Sequence, residues 1–183
     1  MAYKGKILKN KHTGQQLTFL QTARSTQGRL LEMEAVFNPH SGEPPMHYHP
    51  RQEEHFMIIQ GQLTVKIGGE TKTLRAGDSL HIPEHTAHAM WNNSDELTIV
   101  NWKVSPALDT EYFLETLTGL AADGKTDSRG KPGLFQTVLI ANHYTRVFRL
   151  AKPSRIIQRI VFTVLTPFAF MMGLRGSYEQ YID

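Results

Sequence analysis

The chain has 183 residues, 40% of them hydrophobic and 20% charged, which is the composition of an ordinary soluble globular protein with one domain or one domain and a modest appendage. It contains no cysteine, which excludes disulfides, thiolate zinc sites and cysteine nucleophiles, so any metal ion must be held by histidine and carboxylate side chains. The first residues, MAYKGKILKNKHTG, are polar and charged and lack the apolar run of a signal peptide, so we expect a cytoplasmic protein.

Residues 1–105 show the pattern of a β domain. Short apolar or alternating runs are separated by turn signals such as Asn38-Pro39, Gly68-Gly69 and Asn92-Asn93. Many short strands at this close spacing predict a β-sandwich or a barrel. The predicted strands are 15–22, 30–37, 54–61, 63–67, 71–77, 79–83, 87–92 and 96–104.

The pattern changes after Ser105-Pro106, and residues 106–183 are predicted to form a helical extension that packs on the barrel or on a partner subunit. Residues 109–123 carry apolar side chains at a spacing close to the helical period, with acidic residues in the first turn. A turn-rich loop follows. We then predict a second helix over 134–151, ended by Lys152-Pro153, and a third over 154–174, interrupted at Pro167.

Charge is divided unevenly along the chain. Residues 128–178 contain no acidic residue and carry +8 of a chain whose net charge is +3, so the remainder carries −5. Two regions of opposite charge suggest two different roles. The basic residues of this segment are Arg129, Lys131, Arg146, Arg149, Lys152, Arg155, Arg159 and Arg175.

Two histidines, His47 and His49, stand one residue apart in the stretch PPMHYHPRQEEHF, residues 44–56. In a strand, residues i and i+2 point to the same side about 7 Å apart, so both imidazoles can converge on one ion. Glu54 begins the next predicted strand, and a short turn could return its carboxylate beside them. A fourth ligand would have to come from another strand, and His88 is well placed to supply it. The histidine pair alone is a weak signal, because a histidine-rich polar loop has the same spacing.

The joint spacing of these residues with the surrounding glycines resembles the two motifs of the cupin superfamily. The first motif, G(X)5HXH(X)3–4E(X)6G, and the second, G(X)5PXG(X)2H(X)3N, occur in the right order within residues 42–92, and the β pattern extends the resemblance to about residue 105. The matching residues are His47, His49, Glu54 and Gly61 for the first motif and Gly77, Pro83, His88 and Asn92 for the second.

The chain departs from the motifs at two positions. Gly42 lies with four residues between it and His47 where the family has five, which only shifts an entry turn. His85 stands where the second motif has glycine, a residue that usually serves a turn with positive φ. Neither departure touches a position that the family uses as a metal ligand.

The resemblance implies a mainly β fold, in which residues 1–105 form a double-stranded β-helix, or jelly-roll barrel, and 106–183 an α-helical segment. It also implies one divalent transition metal ion held by His47, His49, Glu54 and His88. Three imidazoles and one carboxylate suit Fe, Mn, Ni, Zn or Cu, and the sequence does not choose among them. An ion held in this way keeps open positions for water, O2 or a chelating substrate. A closed structural zinc site usually uses thiolates, which this chain lacks.

Strand parity predicts which side chains surround these ligands. Phe56 and Ile58 share the phase of Glu54, and Met90 shares the phase of His88, so we expect these three to line an apolar substrate pocket. His81 is a candidate for a catalytic base, or is simply a strand histidine. Trp91 and Trp102 are expected to be packing residues.

Two functions stay open at this point. The first is a metal-dependent enzyme, an oxygenase or an isomerase/lyase, that acts on a small chelating organic substrate. The second is a non-catalytic module that binds or senses a small molecule, because a fold does not decide between these classes. We expect a homodimer, as is common among proteins that the chain resembles. We expect no nucleic-acid partner, since the basic residues alternate with apolar ones and no known motif frames them.

Residues 160–174 are uncharged, but they are fewer than the roughly 20 residues of a membrane-spanning helix, and Pro167 interrupts them. Two interpretations of this segment stay open. The helices pack on the barrel or on a second subunit, or a basic-flanked apolar helix makes peripheral contact with an anionic membrane, helped by the positive charge of the segment.

Overall fold

The computed structural model describes residues 2–182 of the chain. It contains two antiparallel β-sheets, which form a jelly-roll fold, and three α-helices that follow the last long strand. The strands are β1 (Ile7–Lys9), β2 (Gln16–Gln21), β3 (Leu31–Phe37), β4 (His47–Tyr48), β5 (Glu53–Gln60), β6 (Gln62–Ile67), β7 (Glu70–Arg75), β8 (Ser79–Ile82), β9 (His88–Trp91), β10 (Thr98–Ser105) and β11 (Arg149–Leu150). The helices are α1 (Thr110–Ala122), α2 (Leu134–His143) and α3 (Arg155–Met171), and a short 3-10 turn covers Glu179–Tyr181.

One sheet has the strand order β1-β2-β3-β10-β5-β8, and the other has the order β11-β4-β9-β6-β7. Alternate residues of β5 and β6 are buried, as expected for strands with one face toward a core. The main core between the sheets takes side chains from both of them, because Ile58 and Val100 of the first sheet pack with Leu63 and Val65 of the second.

The predicted mainly β fold is confirmed, and each predicted strand matches an observed one with ends that agree to within two residues. The turn signals explain this agreement. Gly61, between β5 and β6, has a φ of 75°, and a Cβ added there would lie 2.5 Å from the carbonyl oxygen of Leu97. Glycine is therefore the residue that this hairpin requires.

The predicted second helix over 134–151 is wrong beyond His143, where α2 ends. The chain then turns, since the amide of Phe148 donates to the carbonyl of Tyr144, and the short strand β11 follows. Arg149 of β11 pairs with Tyr48, and Leu150 pairs with His47, so this segment completes an edge of the second sheet. Apolar periodicity cannot distinguish such an edge strand from one more helical turn.

The predicted interruption of the third helix at Pro167 is also wrong, because α3 runs unbroken from Arg155 to Met171 with Pro167 inside it. A proline removes one backbone donor and crowds the preceding turn, which often kinks a helix but does not always end it. Pro167 lies on the exposed side of α3. None of the helices within residues 2–182 is long and apolar enough to cross a membrane.

Helices α1 and α2 pack together through an apolar cluster that also reaches the start of β11. Its buried members include Phe113 and Leu120 of α1, Ile140 of α2 and Val147 just before β11. Polar contacts fix α1 to the first strands, since Lys6 Nζ donates to Glu115 Oε1 at 2.6 Å. Helix α3 packs on α2, and Ala169 is its buried residue.

Candidate metal centre

The second sheet brings two of the predicted ligands side by side. His47 of β4 pairs directly with His88 of β9, and the centroids of their rings lie 4.6 Å apart. The ring of His49, just beyond β4, lies 5.3 Å from each of the other two rings. One nitrogen of each ring lies within 4.8 Å of one nitrogen of the others, so the three imidazoles can hold a single ion.

Glu54 brings a carboxylate to the same point from the opposite sheet. It lies on the inward face of β5 and is 2% exposed. Its Oε2 lies 3.2 Å from Nε2 of His49 and 2.9 Å from Nε2 of His88. All four residues that the cupin resemblance implies as ligands therefore meet in one place.

Each of the three imidazoles is anchored by its Nδ1 atom to a backbone carbonyl. Nδ1 of His47 lies 2.8 Å from the carbonyl oxygen of Pro45, and Nδ1 of His88 lies 2.9 Å from that of Thr86. Nδ1 of His49 lies 2.5 Å from the carbonyl oxygen of Val147. A carbonyl only accepts, so each Nδ1 carries the proton. In the neutral ring, Nε2 is then left with the lone pair that a metal ion needs.

The buried polar atoms at the centre fit a divalent ion. When the rings are neutral and protonated at Nδ1, His49 Nε2, His88 Nε2 and Glu54 Oε2 are three buried acceptors with no donor among the described residues. Buried polar atoms nearly always have a hydrogen-bond partner, so three buried acceptors that face one another without a donor require an explanation. Ligand atoms bound at about 2.1 Å and at right angles to one another lie about 3 Å apart, which is the spacing from Glu54 to the two rings.

The protonation behaviour of the metal-free centre follows from burial and from the single carboxylate. Burial, with the neighbouring His88 and His49, lowers the pKa of His47 to about 3, so this ring is neutral. Burial alone would lower the pKa of His49, but the carboxylate of Glu54 and the Val147 carbonyl outweigh it and raise that pKa. Burial alone would raise the pKa of Glu54, but His49 and His88 hold it well below its usual range. A proton on His49 would therefore balance Glu54 in the metal-free protein, and a divalent ion bound at the centre would replace that proton.

The structure adds Trp102 to the centre, a residue that is expected from the sequence only to pack. Nε1 of Trp102 donates to Oε1 of Glu54 at 3.0 Å, and the Trp102 ring stacks on Phe56 with centroids 5.6 Å apart. The indole thus holds the carboxylate oxygen that faces away from the histidines. Strand parity along β10 could have placed Trp102 inside the fold, but no motif marks it as a partner of Glu54.

The C-terminal segment also builds the centre. The Phe148 ring stacks on His47, with centroids 4.9 Å apart and an angle of 28° between the planes, and the Phe113 ring of α1 stacks on Phe148 at 5.1 Å. Together with the Val147 carbonyl on His49, this places residues from beyond the barrel directly behind two ligands. No signal in the sequence indicates these contacts.

His81, the candidate for a catalytic base, lies outside the centre. Its side chain is 53% exposed, and its Nε2 lies 3.1 Å from Oε2 of Glu53. Its neighbour Ile82 is buried, so His81 points from β8 toward the outer face of the sheet, away from the ligands. This geometry removes the reason for treating His81 as a base and leaves it as a strand histidine.

The residues predicted to line a pocket lie in the core. Phe56 and Ile58 are buried in the apolar cluster between the sheets, and Met90 packs against it. A cavity of about 370 Å³ opens beside this cluster and is lined by Val65, Ile67, Gly68, Glu70, Lys72, Leu74 and Leu80. His47, His49, Glu54 and His88 are not among its lining residues, of which Ile67 pairs with His88 in the sheet.

The motif departure at His85 is accommodated by the turn itself. His85 has a φ of 62°, in the region that glycine normally occupies, and its side chain is exposed. Its backbone amide donates to the carbonyl oxygen of His49 at 2.9 Å. The turn therefore keeps the conformation that glycine would give and also fixes the backbone of His49, a candidate ligand.

Comparison with known proteins agrees with this geometry. The model of the cupin domain family matches residues 33–102. The chain is 30% identical over 150 residues, 75% of its length and 67% of the relative's, to the probable oxidoreductase virH of Hypocrea virens. It is 36% identical over 106 residues to the oxidoreductase iacF of Pestalotiopsis fici, and the match spans 52% of this chain but only 50% of iacF. It is 32% identical over 102 residues to the quercetin 2,3-dioxygenase of Bacillus subtilis, which covers 55% of this chain and 30% of that enzyme.

Proposed function

This chain belongs to the cupin superfamily, and from that premise we propose that it is a metal-dependent oxidoreductase of the oxygenase type that acts on a small organic substrate. One observation carries the proposal. Three imidazoles are each anchored through Nδ1, and two of their Nε2 atoms face an unpartnered carboxylate oxygen of Glu54 in a buried space. This is the donor set of an open transition-metal site.

The named relatives favour oxidation over isomerisation or lyase chemistry. Two of them carry the name oxidoreductase and one carries the name dioxygenase. They support the reaction class for this chain, and no substrate is transferred from them.

A divalent ion held by His47, His49, Glu54 and His88 would supply Lewis acidity and activation of O2. The chain's own groups do the rest. The carbonyls of Pro45, Val147 and Thr86 fix the orientation of the three rings. Trp102 holds one oxygen of Glu54 and leaves the other for the ion. Such outer partners raise ligand basicity and keep the rings in position during turnover.

The substrate that suits this site has an apolar body and a polar end that can reach the ion. The cavity of about 370 Å³ beside the main core has apolar walls formed by Val65, Leu74 and Leu80. Its volume lies at the lower end of the range for small-molecule sites. The ion pair between Lys72 and Glu70, at 3.0 Å, lies among its lining residues and marks its polar side.

The test is metal content and O2 consumption of protein purified without an affinity tag that binds metals. The His49→Ala variant should lose both the bound transition metal and O2 consumption, because it removes a ligand and leaves Glu54 unbalanced. The matched control is His81→Ala, which removes an exposed histidine outside the centre and should change neither quantity. Turnover that persists in metal-free protein would contradict the proposal. A small molecule that binds saturably and is recovered unchanged would assign the barrel to a binding module instead.

A further inference from the structure

Helix α3 presents a continuous apolar face to solvent. Ile156 is 73% exposed, Ile160 60%, Val164 54% and Met171 83%. These residues follow one another at intervals of four or seven and therefore form one stripe along the helix, which Ile157 and Phe168 widen. We call the stripe of Ile156, Ile157, Ile160, Val164, Phe168 and Met171 the α3 face. A contiguous apolar patch of this kind marks an interaction site.

The opposite side of α3 fixes the direction of this face. Ala169 is fully buried, and Phe162 and Leu165 are partly buried on the side toward α2. Gln158 anchors the same side of the helix, since its Nε2 donates to the carbonyl oxygen of Leu150 at 3.0 Å. Helix α3 therefore cannot turn its apolar side inward without losing these contacts.

Basic side chains lie near the two ends of the α3 face. Arg155 and Arg159 lie in the first two turns of α3, Lys152 precedes the helix, and Arg175 follows it. All four are exposed, and within residues 2–182 none of them forms an ion pair. Residues 128–178 offer no acidic residue to neutralise them. An apolar stripe with basic residues near its ends is complementary to a surface that has an apolar interior and negative charges where it meets water.

From this complementarity we infer that the α3 face binds the surface of an anionic lipid membrane. The helix has 17 residues and is about 26 Å long, so it would lie parallel to the membrane with its isoleucine, valine and phenylalanine side chains among the acyl chains. The arginines and Lys152 would then reach the lipid phosphates, because long basic side chains extend toward the headgroups.

A second copy of the chain fits this face less well. A two-fold interface places the same patch on both sides, so the basic residues of each copy would meet basic residues and no acidic residue from segment 128–178 of the other copy. Like charges brought together in this way oppose association. The anionic membrane satisfies the apolar stripe and the charges at the same time, and the inference does not depend on the metal centre.

The test is co-sedimentation of the full chain with vesicles. We expect binding to vesicles made of equal parts phosphatidylcholine and phosphatidylserine, weak binding to phosphatidylcholine alone, and release by salt because charge is screened. The double variant Ile160→Glu/Val164→Glu should abolish binding. The double variant Arg155→Gln/Arg159→Gln should weaken it by about fivefold for each charge removed.

Matched controls change exposed residues elsewhere. Ile7→Glu/Ile59→Glu replaces two isoleucines that are 56% and 54% exposed on the barrel, and Lys4→Gln/Lys9→Gln removes two exposed charges. Both controls should bind vesicles like the parent chain. Failure of the parent chain to co-sediment at low salt would overturn the inference, as would binding that the α3 variants leave unchanged. A dimer in light scattering that Ile160→Glu/Val164→Glu dissociates, without lipid binding, would assign the face to a second copy and also overturn it.

Discussion

The carbonyl oxygen of Val147 accepts a hydrogen bond from Nδ1 of His49 at 2.5 Å, although 98 positions separate these residues in the chain. Val147 is buried between α2 and β11, and Phe148, the next residue, stacks on His47. The segment after the barrel therefore positions two of the four residues of the candidate metal centre. This relationship means that changes far from the histidine motif should alter metal binding.

Phe148→Ala should weaken metal binding by roughly 10- to 100-fold, because the ring that holds His47 in place is lost. It should also lower the free energy of unfolding by about 2 kcal/mol, less than a fully buried phenylalanine costs, since Phe148 is partly buried. The measurements are a competition titration against a chelator and thermal unfolding of the metal-free protein. Phe168→Ala, at an exposed phenylalanine of α3, is the matched control and should change neither. Equal affinities of the two variants would show that Phe148 does not position His47.

Trp102→Phe should lower metal affinity by roughly tenfold. The substitution keeps a ring against Phe56 but removes the Nε1 donor to Glu54 Oε1, so that carboxylate oxygen is left without its partner. Trp91→Phe is the matched control, because no hydrogen bond or ring contact joins Trp91 to a candidate ligand among the described residues. The same titration against a chelator compares the two variants. The account of Trp102 fails if its variant binds metal as tightly as the Trp91 variant.

Metal affinity should rise with pH. Burial opposes protonation of His49, but Glu54 outweighs it and raises the pKa of His49 in the metal-free protein. At pH values below that raised pKa, the ion must displace a proton, so affinity should fall about tenfold for each pH unit of acidification. Calorimetric titration in two buffers of different ionisation enthalpy should count about one proton released per ion. Affinity that does not change with pH, with no proton release, would contradict the charged His49–Glu54 pair.

The metal-free protein should lose stability as the pH falls from 6.5 toward 3. Burial lowers the pKa of His47 from 6.5 to about 3, so the unfolded chain takes up a proton in this range while the folded chain does not. The stability that this difference contributes is present above 6.5 and is lost on acidification. The usual pKa values of His and Glu are 6.5 and 4.5. Between these two pH values, the free energy of unfolding of His47→Gln, measured with a denaturant, should depend less steeply on pH than that of the parent chain. His12→Gln, at an exposed histidine, should keep the slope of the parent chain, and a His47→Gln slope equal to it would refute the prediction.

The barrel and the residues of the candidate metal centre could be predicted from sequence because both depend on local spacing. Alternation of buried and exposed residues and turn residues such as Gly61 mark the strands one by one. The positions of His47, His49 and Glu54 within one short stretch, and of His88 after Pro83, are sufficient to recognise the two cupin motifs. The inward phase of Glu54 and Phe56 on β5 also follows from the period of a strand.

The contacts that support these ligands could not be predicted in this way. Trp102 meets Glu54 across 48 positions, and Phe148 reaches His47 only because the chain leaves α2 and adds β11 to the sheet edge. Two-residue strands such as β11 have no period, and the apolar residues before it continue the pattern of a helix. The continuation of α3 through Pro167 could not be predicted for a related reason, because a proline inside a helix does not always end it.

The most direct test of the metal centre is an anomalous difference map from crystals of the chain soaked in a transition-metal salt. We expect one strong peak between the two sheets, at about 2.1 Å from the Nε2 atoms of His47, His49 and His88 and in contact with Oε2 of Glu54. A map without a peak there, or with the ion bound only by exposed histidines such as His81, would contradict it.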